Sequence, residues 1–205
     1  MNVERATRVL GMSAIALGAL AVVAGSPGRS SSAASVARIA AEVSNESDHV
    51  TAVELARWIR DRKAALRIID VRDSVSFEES HIPGAIRQSL GEVAVAPVTT
   101  GETIVLYSGG GAHAAQGWVL LRSRGVNDVF FLRGGYDEWM DEVMNPQFPR
   151  NAPPEERAAM DSVAALSRYF GGVPRNVDSL IVRNRDHDGQ PSWRAAVKRA
   201  RGRGC

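Results

Sequence analysis

Thr103-Ile104-Val105-Leu106-Tyr107, then Ser108-Gly109-Gly110-Gly111, then Ala112 to Arg124, then Val126-Asn127-Asp128-Val129-Phe130-Phe131-Leu132, is the stretch that decides the fold. Its outer segments are β-branched and aromatic runs, the composition of buried strands. Between them Trp118 and Leu121 share one helical face, and Gly125 supplies a stop signal. Strand, helix and strand at so short a spacing imply a right-handed crossover and parallel pairing. Towards the N-terminus, Leu66-Arg67-Ile68-Ile69-Asp70-Val71 reads as another buried strand. Thr51-Ala52-Val53-Glu54 reads as a capping box, opening a helix whose apolar face is Leu55, Trp58 and Ile59. Residues 48–145 therefore read as a small α/β domain with helices on both faces.

The flanks read differently. Arg5 and Arg8 precede a run from Val9 to Gly25 that carries no charge. Such a pattern over residues 1–25 predicts a secretory signal peptide or a short membrane anchor, with the two arginines on the cytoplasmic side. The expected location is exported, periplasmic, or anchored in the cell membrane through residues 9–25. Residues 26–47 are Ser/Ala-rich and read as a linker, with a short helix at Ser35 to Glu42. Residues 146–205 read as a helical, basic extension. A helix from Pro154 to Phe170 is expected, with Ala159, Val163, Leu166 and Phe170 on one face and Gly171-Gly172 as its stop. A second helix, Ser192 to Arg201, sets Trp193, Ala196, Val197 and Ala200 against Arg194, Lys198 and Arg201.

Composition excludes several classes. Hydrophobic residues make up 44% of the 205 residues, which excludes a largely disordered chain. Lys plus Arg is 25 and Asp plus Glu is 23, a net charge of +2 that excludes a chain binding nucleic acid over its whole surface. The single cysteine, Cys205, excludes an internal disulfide, a CxxC redox pair and a Cys-rich zinc site. Asp186-His187-Asp188-Gly189 lacks a downstream acid and reads as a turn rather than a metal loop. No cofactor and no metal are called for.

Three stretches carry a family resemblance. They are Ile69-Asp70-Val71-Arg72 with Phe77 and Glu78; His81-Ile82-Pro83-Gly84-Ala85; and Leu132-Arg133-Gly134-Gly135-Tyr136 with Trp139. In order and spacing they resemble the rhodanese (sulfurtransferase) homology domain over residues 48–143. The resemblance implies a three-layer α/β fold with a mostly parallel five-stranded sheet flanked by helices. It also marks Asp70, Arg72, His81, Gly84, Gly134 and Gly135 as motif residues. Of these, Asp70 with Arg72 reads as a structural ion pair, and His81 as a backbone-bonded residue fixing the turn before Pro83.

In active members of that family, the strand matching Ile104 to Tyr107 ends in the nucleophilic cysteine of a C-x-x-G-x-R loop. That loop runs into a helix N-terminus, where backbone N–H groups and the dipole stabilise a thiolate, persulfide or oxyanion. Here the loop is Ser108-Gly109-Gly110-Gly111-Ala112-His113. Gly111 is kept, Ser108 stands at the cysteine position, and His113 at the arginine position. A hydroxyl cannot hold a sulfane sulfur as a persulfide, and it ionises far less readily than a thiol of pKa about 8.5. The expectation is a domain without sulfurtransferase activity, binding a small anion or a protein partner, with no specific nucleic acid. The alternative is an active sulfane-sulfur or persulfide carrier using Cys205, or a partner's thiol; arginines around a thiol lower its pKa. A Ser108/His113 esterase is a weaker reading, because no G-x-S-x-G elbow and no acid orienting the histidine is identifiable.

Overall fold

The computed structural model describes residues 27–178. The chain divides into two units, Met1–Ala41 and Glu42–Cys205. The described part of the first belongs to helix α1, Pro27–Ser44. That helix is longer than the Ser35 to Glu42 segment expected inside a linker. Alanine, arginine and glutamate are strong helix formers, and Pro27 suits a first-turn position. The apolar run 9–25, the Ser192 to Arg201 segment and Cys205 lie outside the described residues. Among the described residues, no helix is long and apolar enough to cross a membrane.

The second unit alternates β1 (His49–Val50), α2 (Ala52–Arg60), β2 (Leu66–Asp70), α3 (Ser74–Glu79), β3 (Ala85–Arg87) and α4 (Leu90–Val95). Then follow β4 (Thr103–Tyr107), α5 (Ala112–Ser123), β5 (Val129–Leu132) and α6 (Gly135–Trp139), which continues as a π-turn over Met140–Met144. The five strands form one sheet in the order β1-β5-β4-β2-β3, and every pairing is parallel. The five-stranded parallel sheet flanked by helices is the fold that the motifs implied. Beyond it, β6 (Gln147–Pro149), α7 (Pro154–Tyr169) and β7 (Arg175–Val177) complete the described chain. The parallel β6–β7 ribbon was not expected from the sequence; three-residue strands leave no readable alternation.

β4 lies at the centre, and all five of its residues are buried. Its side chains alternate between two layers, as a strand buried on both faces must. Val105 and Tyr107 join the core built by Leu55, Leu132, Trp139 and Leu166. Leu106 faces the other way, onto Gly117 of α5, where an added Cβ would lie 3.2 Å from its Cδ2. On that same side the Trp118 Nε1–H donates to the Val129 carbonyl at 2.9 Å. Helix α2 starts where expected: the Thr51 side chain accepts from the Glu54 N–H. β5 is shorter than the Val126 to Leu132 run, since the Arg122 guanidinium claims the carbonyls of Val126 and Asn127.

Candidate functional site

Ligands of open parallel sheets bind beyond the carboxyl ends of the strands. There the strand order places three connections side by side: the loop after β4, flanked by those after β5 and β2. The central one is Ser108 to His113, entering α5.

The loop is held by its backbone. The Tyr136 N–H donates to the Ser108 carbonyl at 2.7 Å, and the Asp137 N–H to that of Gly109 at 3.1 Å. Gly134 and Gly135 both have positive φ, +66° and +61°. A Cβ on Gly135 would lie 2.3 Å from both carbonyl oxygens and 2.7 Å from the Gly111 nitrogen. Only glycine lets the two segments approach this closely. Gly111, with φ +92°, is the left-handed N-cap of α5.

Ser108 is 3% exposed. Its Oγ accepts a hydrogen bond from the Gly111 N–H at 3.1 Å, closing the loop on itself. The N–H groups of Gly109 and Gly110 have no acceptor among the described residues. His113 is exposed on the first turn of α5, with no partner among the described residues. The Asp137 carboxylate was not anticipated. It lies beside the loop, its Oδ2 4.0 Å from where a Gly110 Cβ would sit. The β5–α6 packing brings it there, and no local spacing signals it. A negative charge at this point opposes an anion held by the loop.

Beneath the loop lies a polar stack. Asp70 is fully buried and pairs with Arg72, Nε to Oδ1 at 3.0 Å and Nη2 to Oδ2 at 2.6 Å. Arg72 Nη2 also donates to the Ser80 carbonyl at 2.6 Å, and the guanidinium lies 4.2 Å from the Tyr136 ring centroid. Burial disfavours the Arg72 charge, but the hydrogen bond and charge of Asp70 outweigh it and raise its pKa. The Tyr107 hydroxyl accepts from the Ile82 N–H at 3.1 Å. Burial, and next the hydrogen bond to Asp70, push its phenol well above the ordinary range. Thus Asp70, Arg72 and Tyr107 brace the turn that precedes β3. In that turn the Ala85 N–H donates to the Ile82 carbonyl at 3.0 Å, with Pro83 second and Gly84 third at φ +80°. This is type II geometry, which calls for glycine at the third position. His81 stacks on Phe77 at 4.2 Å, and its Nδ1 meets the Phe77 carbonyl at 2.9 Å. Among the described residues, no cluster of side chains is suited to hold a metal ion. A polar cleft of about 410 Å³ lies at the opposite, N-terminal ends of β4 and β5, lined by residues 98–102 and 124–128.

A family model for the rhodanese-like domain matches residues 51–142. The chain is 30% identical over 92 residues to the thiosulfate sulfurtransferase GlpE of Pseudomonas aeruginosa, covering 43% of this chain and 80% of that protein. It therefore belongs to the rhodanese-like domain family. It is also 34% identical over 99 residues to the probable adenylyltransferase/sulfurtransferase MoeZ of Mycobacterium tuberculosis, 46% of this chain. It spans only 25% of the length of MoeZ. A solved rhodanese-like domain protein of Staphylococcus aureus is similar over 46% of this chain and 93% of that one, with 24% identity and a TM-score of 0.42.

Tyr107→Phe leaves the buried Ile82 N–H without its partner, and should cost about 1–3 kcal/mol. The unfolded phenol ionises near about pH 10, while burial holds the folded one neutral to higher pH. The contribution of this group is thus complete below about pH 10 and is lost as pH rises towards the folded value. Urea denaturation at about pH 8 and about pH 11 should show a stability loss in the wild type that is smaller in Tyr107→Phe. Equal losses would mean that Tyr107 ionises normally.

Proposed function

We propose that this chain is an exported or membrane-tethered rhodanese-like module that does not carry sulfane sulfur at its loop, and that the loop binds a small oxyanion. The observation that carries this reading is the state of Ser108. Its hydroxyl is buried at the position of the family's nucleophile and is engaged by the Gly111 N–H. Persulfide chemistry needs a thiolate at that point, and serine cannot supply one. The free N–H groups of Gly109 and Gly110, in front of the α5 dipole, support anion binding. The apolar run 9–25 behind Arg5 and Arg8 supports the tether.

Sulfur transfer from thiosulfate to cyanide tests the first part. The wild-type chain should show none. Ser108→Cys should restore little while His113 stands at the arginine position, and Ser108→Cys with His113→Arg should restore more. Wild-type activity that persists in Cys205→Ser would overturn the reading; activity abolished by Cys205→Ser would move the chemistry to the terminal thiol.

Sulfate titration followed by amide NMR tests the second part. Helix-terminus stabilisation is worth only about 0.3–1 kcal/mol per charge, so binding should be weak and should shift the Gly109 and Gly110 amides. Asp137→Asn should tighten it by removing the opposing charge. Amides that stay fixed in both proteins would leave the loop without a ligand role.

A further inference from the structure

Helices α2 and α7 end side by side, and their C-terminal ends form an exposed face that is both basic and aromatic. Arg60 is in the last turn of α2, and Arg62 and Lys63 follow just beyond it. Arg168 is in the last turn of α7, and Tyr169 closes that helix at 60% exposure, within electrostatic reach of Arg60. Val173, at 54% exposure, lies just past the stop of α7.

Cations in the last turn of a helix complement its dipole, which accounts for Arg60 and Arg168. It does not account for Arg62 and Lys63, which lie past the helix end. Nor does it account for a tyrosine left in water beside Arg60. The nearby acid, Asp61, is taken up by Arg60 at 2.8 Å. Arg62 has no carboxylate partner among the described residues, and Lys63 rests over the Trp58 ring at 5.0 Å. The face is therefore net positive, with an amphipathic aromatic at its edge.

We infer that this face docks on an anionic lipid bilayer. Basic side chains near an anionic bilayer are each worth about 1 kcal/mol, roughly a fivefold gain in partitioning, and tyrosines favour the headgroup layer. An acidic protein would satisfy the charge alone. The bilayer also accounts for the exposed apolar groups, for the apolar run 9–25, and for the basic sequence beyond Asp178, which includes Arg183, Arg185, Arg194, Lys198 and Arg199. The inference rests on the tethered reading, but the face itself is tested separately.

Lys63 is the one lysine among the described residues, so its acetylation by an amine-reactive reagent, read by mass spectrometry, reports on this face alone. The full chain is mixed with vesicles of phosphatidylcholine, or of phosphatidylcholine with phosphatidylglycerol, and pelleted. Labelling of Lys63 should fall by about fivefold or more on the anionic vesicles only, and should recover in high salt. Arg60→Glu with Arg62→Glu should abolish that protection. Equal labelling on both vesicle types overturns the docking face, and so does protection that survives the double substitution. If the chain pellets with both vesicle types while Lys63 stays reactive, the tether stands and the face falls. If it fails to pellet with neutral vesicles, the tether falls, while protection on the anionic ones still upholds the face.

Discussion

The shape of the site depends on a contact between two backbones. The carbonyls of Ser108 and Gly109 accept from the N–H groups of Tyr136 and Asp137, and Gly135 has no side chain to hold the segments apart. Any Cβ at Gly135 would overlap both carbonyls, in a left-handed conformation that side chains already disfavour. Because these bonds are main chain to main chain, they do not depend on the side chain at the loop's first position. The hydroxyl of Ser108 has a different partner, the Gly111 N–H, so it is part of the loop's own wall.

Around this contact the sheet order does the positioning. β4 lies between β5 and β2, so Gly134-Gly135 is on one side of the loop and Asp70 with Arg72 on the other. Asp70 and Tyr107 are fully buried and Arg72 is half-buried against them; removing one partner of a buried pair typically costs about 3–5 kcal/mol. This stiffness fixes one flank of the loop. It also sets the loop apart from the basic, aromatic face at the ends of α2 and α7, which is built from exposed side chains and depends on charge.

Much of this was legible in the sequence, for physical reasons that can be named. Ile68 to Asp70 and Thr103 to Tyr107 are buried on both faces, so the apolar residues follow one another there without alternation. Gly111, Gly134 and Gly135 stand out because their positive φ demands glycine. His49–Val50 and Ala85–Arg87 were not individually legible: two- and three-residue edge strands are defined by their neighbours. Asp137 was invisible because it reaches the loop through the Gly135 contact. The hydroxyl bond of Ser108 was invisible too, since a serine beside glycines reads equally as solvated, nucleophilic or structural. The long α1 was under-read because a Ser/Ala-rich composition suits both a linker and a helix.

Residue-resolved amide hydrogen exchange across the loop tests most directly the claim that the Ser108 hydroxyl serves the loop's own backbone. The account predicts a protected Gly111 amide beside rapidly exchanging Gly109 and Gly110 amides in the wild-type chain. It also predicts loss of the Gly111 protection in Ser108→Ala, while Tyr136 and Asp137 remain protected. A Gly111 amide that exchanges as fast as its neighbours in the wild type, or that is unaffected by Ser108→Ala, would contradict it.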